Sequence, residues 1–240
     1  MNKSKIYCKN ICLLHIRSFI IRSVNLDESI IREYVLDDIS NEVDIISYDI
    51  VSKLTERTLD YDTIELEVGC GNGKFIVELA LNNPQKYFIG IEYSFKAVKK
   101  AIDKARKRNI KNMCIIYGEA NVVIQKYLLD KYLFDKIYLN FPDPWPKKKH
   151  AHRRIFNVEF LDKVYDLLKD DGIFYSVTDD DHYALEIMNV IYKESTNFKN
   201  VLDSDYVSKL EGYGVTLYEE KMRAIGHNIY FFAHSKILKD

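Results

Sequence analysis

The sequence predicts an α/β protein in which a mostly parallel sheet carries helices on both faces. From residue 63 onward, short apolar runs alternate with longer amphipathic runs, an alternation typical of βαβ units. A glycine-rich turn separates the first apolar run from the first amphipathic one. The 240 residues are 47% hydrophobic, which is enough for one full core and favours one domain over two.

Six strands and five helices follow from this pattern in order. The predicted strands are the apolar runs at Thr63–Val68, Lys86–Glu92, Asn112–Gly118, Phe134–Asn140, Ile173–Thr178 and Asn228–His234. The predicted helices run from the glycine-rich turn to about Leu81, and then over Ser94–Arg108, 121–129, Arg154–Lys169 and Asp181–Lys193. Ligands of such sheets bind at the carboxyl ends of the strands, so a site is expected in the loops there.

Composition and charge restrict the function. The net charge of −1 gives no global basic field, so any nucleic-acid binding has to come from a local patch. The four cysteines form no C-x-x-C pair, and no His stands at zinc spacing from them. We therefore expect reduced thiols in a cytoplasmic protein, and no metal. No apolar run approaches the ~20 residues that span a bilayer, so no membrane association is expected.

Residues 1–30 are predicted to form a basic arm, flexible in one interpretation, ahead of a single domain over 31–240. Five cationic residues and no acidic residue precede Asp27. Three interpretations stay open: a transit peptide, an arm that touches a polyanion, and a start codon placed too early.

A glycine-rich loop joins the first predicted strand to the first predicted helix. Gly69, Gly71 and Gly73 let the backbone turn tightly and approach a ligand closely. The dinucleotide pattern G-x-G-x-x-G would need glycine at position 74, where Lys74 stands. Glu67 precedes the glycines, where it would repel a pyrophosphate. An acidic residue at this position suits a cationic ligand that carries an ammonium or sulfonium group.

Two further acidic residues end the next two predicted strands. Glu92 ends the second strand, where a carboxylate can accept hydrogen bonds from both ribose hydroxyls of a nucleoside. Glu119 follows the third strand, where an acceptor could meet an adenine amino group. Each one alone is more simply a solvated surface charge. Three acidic residues at the ends of three strands of one sheet favour a ligand site.

The fourth predicted strand ends in a stiff, unusual loop. Asp143 stands between Pro142 and Pro144, beside Trp145, the single tryptophan of the chain. Proline fixes φ and cannot donate to a sheet ladder, so the loop holds a carboxylate and an aromatic ring at its tip. A basic cluster follows at once, formed by Lys147, Lys148, Lys149, His150, His152, Arg153 and Arg154. We interpret it as a track for RNA phosphates rather than only a solvated helix start.

The glycine loop and its three acidic neighbours resemble those of class I S-adenosylmethionine-dependent methyltransferases, which have a Rossmann-like, mostly parallel seven-stranded sheet. The segments 142–155 (PDPWPKKKHAHRRI), 176–179 (SVTD) and 216–221 (TLYEEK) look more specifically like the tRNA (guanine-N7-)-methyltransferases of the bacterial single-subunit type. The resemblance covers roughly residues 16–235. It implies methyl transfer from S-adenosylmethionine to N7 of a guanosine in the variable loop of tRNA.

The resemblance also implies roles for individual residues. Those that match cofactor contacts are Glu67, Gly69, Gly71, Gly73, Glu92, Glu119 and Asp143. Asp143 also matches the catalytic acid, and the matches to substrate contacts are Lys147, Asp179, Thr216 and Glu219. Two departures weaken parts of the match. The family often has Asp where Glu119 stands, and a more basic Gly-Arg stretch where the arm reads Ser23-Val24-Asn25.

Guanine N7 carries a lone pair and no proton, so its attack on a methyl group needs no general base. We therefore expect Asp143 to act by alignment and by its negative charge. Trp145 could stack on the base or pack the loop.

Two rival functions stay open, a methyltransferase for a base amino group and an inactive RNA-binding module. For a tRNA enzyme of this type we expect no obligate protein partner, and a monomer or a homodimer.

Overall fold

The computed structural model describes the backbone of residues 35–37 and, beyond them, residues 54–195 and 197–238. The side chain of Lys148 is not part of the description. The basic arm predicted over residues 1–30 lies outside the described residues. None of the helices in the described ranges is both long enough and apolar enough to cross a membrane.

One sheet organises the described chain. Its eight strands are β1 (Val35–Asp37), β2 (Ile64–Val68), β3 (Tyr87–Glu92), β4 (Met113–Tyr117), β5 (Phe134–Asn140), β6 (Leu168–Thr178), β7 (Phe198–Asn200) and β8 (Tyr230–Lys236). Their order is β1-β4-β3-β2-β5-β6-β8-β7, and only the pairs of β8 with β6 and β7 are antiparallel within the described residues. The predicted fold class is confirmed. All six predicted strands are present, and two three-residue strands, β1 and β7, extend the sheet at its edges.

The helices connect these strands. Those that follow β2 are α1 (Lys74–Asn82), α2 (Phe95–Lys107), α3 (Ala120–Val123), α4 (Val158–Leu167), α5 (Asp181–Asn189) and α6 (Leu217–Ala224). Single π-helical turns continue α3 over Ile124–Leu128 and α5 over Val190–Ser195, and a 3₁₀ helix covers Lys148–Arg153. Helix α6 was not predicted. Its signal is the Thr-x-x-Glu pattern of Thr216 and Glu219, and in the structure the Thr216 side chain accepts from the Glu219 amide.

The boundaries of α4 differ from the prediction at both ends. The helix begins after Asn157, whose side chain accepts from the Phe160 amide, so the apolar residues Ile155 and Phe156 lie before the helix. Strand β6 begins directly at Leu168, and its pairing with β5 shifts register between Phe134 and Lys136. Gly172 fits this irregularity because a Cβ there would lie 2.8 Å from the Leu168 side chain. Asp170, Asp171 and Gly172, which follow the predicted helix directly, therefore form a bulge inside β6.

Alternate residues of the central strands pack on opposite faces of the sheet. Phe88 of β3 and Ile115 of β4 lie in one apolar cluster with α1 and α2. Ile89 and Ile116, one position along, lie in the other cluster with α4 and α5. Helices therefore cover both faces, as predicted for a mostly parallel sheet.

The chain reverses its direction of travel across the sheet at β2. From β2 it moves outward through β3 to β4, then returns to place β5 on the other side of β2. The carboxyl ends of β2 and β5 therefore border the topological switch point, where ligands of open α/β sheets bind.

Candidate active site

The three glycines of the loop after β2 all have positive φ, at 75°, 52° and 72° for Gly69, Gly71 and Gly73. Gly73 is also required by packing, because a Cβ there would lie 2.4 Å from the Ala101 Cβ of α2. A Cβ at Gly69 or Gly71 would meet nothing within 4 Å. The first two glycines thus border open space, and the third fits α1 closely against α2.

Glu67 lies at the switch point and is 3% exposed. Its Oε1 accepts a hydrogen bond of 3.0 Å from Asn140 Nδ2 at the end of β5. Its Oε2 is buried and finds no partner within the described part of the chain. Burial raises the pKa of Glu67 to about 8. A buried oxygen without a partner is costly, so this atom fits a donor supplied by a ligand.

Glu92 connects the glycine loop to the start of α2. Its Oε2 accepts from the Gly71 amide at 2.9 Å, and its Oε1 accepts from the Ser94 amide at 2.6 Å. The carboxylate is 6% exposed. Each oxygen has a second lone-pair direction, so this structural role leaves capacity for hydroxyl donors.

Glu119 has a local structural role at the end of β4. It is the N-cap of α3, and its Oε2 accepts from the Val122 amide at 3.0 Å. The residue is exposed. An N-cap carboxylate satisfies an amide that would otherwise lack a partner, so capping alone gives a structural reason for an acceptor at this position.

The loop after β5 holds Asp143 at the same edge of the sheet. Phe141 and Trp145 flank it with φ of 50° and 40°, in the left-handed region that costs non-glycine residues about 1–2 kcal/mol. Pro142 is buried, whereas Asp143 is exposed. No hydrogen bond of the Asp143 carboxylate is found among the residues that the structure describes. The fold thus presents this carboxylate on a strained loop with its acceptors free.

Arg154 holds this loop, a role that the sequence analysis missed when it assigned the residue to the phosphate track. Its Nε donates to the Pro144 carbonyl at 2.7 Å, and its Nη2 donates to the Trp145 carbonyl at 3.1 Å. Its Nη1 pairs with Glu186 of α5. The guanidinium also lies over the Tyr183 ring. Both carbonyls belong to residues just after Asp143, so Arg154 fixes the loop that carries that carboxylate.

Trp145 packs against the basic cluster. The Arg153 guanidinium lies 5.0 Å from the centre of its ring, and the His150 ring lies 5.8 Å away. These contacts favour the interpretation that Trp145 packs the loop. Lys147 and Lys149 are exposed, so the cluster divides into residues that build the loop and residues that face solvent.

Asp179, predicted as a substrate contact, follows β6. Its Oδ2 lies 3.1 Å from His227 Nδ1 and accepts from the Tyr218 hydroxyl at 3.4 Å. The Tyr218 ring packs on Phe141 of the Asp143 loop, with ring centres 5.0 Å apart. Asp179 is therefore connected to the Asp143 loop through one tyrosine.

Thr216 and Glu219, the other predicted substrate residues, are buried in the start of α6. Thr216 caps the helix, and Glu219 pairs with Arg223 one turn later at 2.8 Å. The adjacent Glu220 forms an ion pair with Lys74 at the start of α1. The start of α6 thus contacts the glycine-loop side of the site.

Two polar residues of the site were not among those predicted to contact the cofactor or the substrate. Asn140 donates to Glu67 and accepts from the Tyr213 hydroxyl at 2.7 Å. Tyr213 precedes α6 and lies in an aromatic group with Phe75, Tyr138, Tyr175 and Phe231. Asn140 had a visible signal, since it ends a strand at the predicted ligand edge. Tyr213 had none, because only the folded chain brings it beside β5.

Comparison with known proteins agrees with the fold described above. A family described as "Putative methyltransferase" matches residues 62–232. Among solved structures, the crystal structure of the 16S rRNA methyltransferase KamB has a TM-score of 0.59 at 15% identity, covering 78% of this chain and 94% of that one. That likeness supports the fold.

Curated relatives narrow the family. A tRNA (guanine-N(7)-)-methyltransferase of Ureaplasma urealyticum is 43% identical over 139 residues, covering 57% of this chain and 60% of that protein. The protein of the same name from Chlamydia caviae is 33% identical, covering 70% of this chain and 74% of that protein. The match thus spans less than two thirds of the Ureaplasma protein and about three quarters of the Chlamydia one. The chain belongs to the tRNA (guanine-N7-)-methyltransferase family of methyltransferases.

Proposed function

We propose that this protein transfers a methyl group from S-adenosylmethionine to N7 of a guanosine in tRNA, with the variable-loop guanosine as its target. The observation that carries the proposal is the pair of carboxylates at the switch point. Glu67 is buried with one oxygen unpaired, and Asp143 is exposed on a loop fixed by Arg154. Membership of the family supports the reaction.

The residues around Glu67 fit the cofactor. The free Oε2 of Glu67 can accept from the ammonium group, and the open space beside Gly69 and Gly71 admits the ligand close to the backbone. The spare lone pairs of Glu92 suit ribose hydroxyls, and Glu119 is our candidate for the adenine amino group. When bound, S-adenosylmethionine supplies an electrophilic methyl on a sulfonium, and the electrons of the breaking C–S bond return to sulfur as the N7–methyl bond forms.

Asp143 acts on the guanine in this proposal. Its carboxylate accepts from the N1–H and the N2 amino group, which orients N7 towards the methyl. The methylated base is cationic, so a fixed negative charge stabilises the transition state as charge develops on the ring. No proton leaves N7, and Asp143 therefore needs no role as a general base.

The tRNA contacts are proposed from the surface around this loop. Lys147 is exposed and suits a phosphate, which a protein recognises mainly by charge. Asp179 would exchange its contacts with His227 and Tyr218 for the substrate. Thr216 and Glu219 would form the wall of the base pocket through the start of α6.

We further propose a cytoplasmic enzyme, as a monomer or homodimer without an obligate protein partner, with residues 31–240 as one domain.

The structure disfavours the rival methyltransferase for base amino groups. In that interpretation Asn140 would offer its side chain to the target base. Here the Asn140 amide already donates to Glu67 and accepts from Tyr213, so it is directed towards the cofactor side. The other rival, an inactive RNA-binding module, is disfavoured by the complete glycine loop with its open face.

The test is methylation of unmodified tRNA, followed by nucleoside analysis and mapping of the product. We expect 7-methylguanosine in the wild type and loss of turnover in Asp143→Ala. Asp180→Ala provides a matched control, because Asp180 caps α5 near the site without facing the target in this proposal. N6-methyladenosine in place of 7-methylguanosine would reject the proposed reaction.

A further inference from the structure

A continuous series of hydrogen bonds joins three separate parts of the site. The Tyr213 hydroxyl donates to Asn140 Oδ1 at 2.7 Å, and Asn140 Nδ2 donates to Glu67 Oε1 at 3.0 Å. Tyr213 belongs to the segment before α6, Asn140 ends β5, and Glu67 lies in β2. This series of hydrogen bonds therefore runs from the proposed substrate side to the proposed cofactor side.

The donors and acceptors of the three side chains give both hydrogen bonds the same direction. Glu67 Oε1 accepts from Asn140 Nδ2, so Asn140 presents its NH₂ group to Glu67. Its carbonyl oxygen then faces Tyr213, whose hydroxyl has to donate. This arrangement occupies Oε1 of Glu67 from inside the protein and leaves Oε2 as the acceptor for a ligand.

Two other contacts hold the same segment against the glycine-loop side. Gly214 lies so close to the Phe75 ring of α1 that a Cβ there would come within 3.0 Å of it. Glu220 pairs with Lys74, the first residue of α1. The segment from Tyr213 to Glu220 therefore spans both the start of α1 and the pocket wall proposed for the base.

We propose that Asn140 and Tyr213 are positioning residues that couple the binding of S-adenosylmethionine at Glu67 to the binding of tRNA at the start of α6. The proposal rests on the function proposed above. A ligand that pairs with Glu67 Oε2 orders Glu67, then Asn140, then Tyr213. The second ligand then meets a segment that is already ordered, which makes its binding stronger. Coupling of this kind is reciprocal between the two ligands.

The test uses S-adenosylhomocysteine, the product of the reaction, so that no turnover occurs. Its dissociation constant is measured by calorimetry with and without saturating unmodified tRNA, and the ratio is the coupling factor. For the wild type we expect a factor of about five or more, the lower end of typical couplings. Tyr213→Phe removes one hydrogen bond and keeps the ring, so the factor should fall about fivefold, towards one.

Tyr175→Phe is the matched control. Its ring lies in the same aromatic group, 5.4 Å from that of Tyr213, and its hydroxyl has no hydrogen bond found among the described residues. This variant should keep the wild-type coupling factor. Asn140→Asp is the second variant, because it replaces the donor that faces Glu67 with an acceptor. It should weaken S-adenosylhomocysteine binding without tRNA about tenfold, while the melting temperature of each variant reports folding.

The outcomes separate this inference from the proposed function. If the wild type makes 7-methylguanosine but shows a coupling factor of one, the coupling is rejected and the function stands. The same conclusion follows if Tyr213→Phe and Tyr175→Phe have equal coupling factors. If the wild type binds S-adenosylhomocysteine and methylates no tRNA, the proposed function fails, and the coupling to tRNA fails with it.

Discussion

Replacing Arg154 by lysine tests whether this residue holds the loop that carries Asp143 or contacts RNA. Lysine keeps the positive charge, but its single nitrogen cannot reach both carbonyls and Glu186 in the arrangement that the guanidinium makes. The loop should therefore lose at least one charge-assisted hydrogen bond, worth about 1.5–3 kcal/mol. The ion pair with Glu186 is partly exposed and adds little to this figure.

The same loop contains strained backbone that these bonds offset. Trp145 has a φ of 40°, which costs about 1–2 kcal/mol for a residue with a Cβ. Losing a bond of comparable strength should let the loop leave the conformation that presents Asp143. Since 1.4 kcal/mol corresponds to a factor of ten, we expect turnover at saturating substrates to fall about 10- to 100-fold.

Steady-state methylation of tRNA measures this effect, and Arg106→Lys supplies the control. Arg106 is an exposed residue of α2, so the same exchange there should leave turnover unchanged. A loop-holding role predicts a lower kcat with little change in the KM for S-adenosylmethionine. A phosphate contact predicts at most a change in the KM for tRNA. If Arg154→Lys keeps kcat within twofold of the wild type, the loop-holding role is wrong.

Three further predictions concern stability and binding. Gly73→Ala should destabilise the protein in urea unfolding by about 2–5 kcal/mol, because a Cβ would collide with Ala101 as well as strain φ, whereas Gly71→Ala should cost only about 1–2 kcal/mol. Burial raises the pKa of Glu67 from 4.5 to about 8, so the folded ligand-free protein keeps a proton that the unfolded chain releases. Its stability should then fall by up to ~4 kcal/mol as pH rises from 4.5 to 8, and Glu67→Gln should flatten that part of the curve. Lys147→Ala should weaken tRNA binding, leave kcat unchanged and reduce the salt slope by about one; an unchanged slope would remove Lys147 from the phosphate contacts.

The sequence predicted the fold well because strand and helix patterns are local. The alternation of apolar and amphipathic runs located six strands, and acidic residues at strand ends indicated the sheet edge where the candidate site lies. The two errors in the predicted boundaries also arose locally, because a helix cap in one case and a bulge in the other overrode the apolar pattern. The residues before Asn157 continue the helical pattern of α4, yet the Asn157 cap begins the helix later. Gly172, a residue type that commonly follows the end of a helix, accommodates a bulge in β6 instead.

The side-chain partners inside the site could not be predicted, because they depend on long-range contacts. Asn140 meets Glu67, a residue 73 positions away, only when β5 pairs beside β2. The Tyr213 hydroxyl meets Asn140 only when the segment before α6 folds over α1. Spacing in the sequence carries no signal for such pairs. The unpaired oxygen of Glu67, on which the cofactor argument depends, likewise follows from the folded structure alone.

Only some residues of the basic cluster are available to bind phosphate, and this limits the salt dependence of tRNA binding that the cluster can supply. Arg153 lies over the Trp145 ring and Arg154 donates to loop carbonyls, so neither is free to bind phosphate without disturbing the loop. Lys147 and Lys149 remain exposed. Each neutralised phosphate contributes about 0.7–0.9 to the slope of affinity against salt, so two lysines supply a slope of about 1.4–1.8. A much steeper slope for the whole protein would require phosphate contacts beyond these two lysines, and the exposed basic residues of α2 are a described surface suited to supply them.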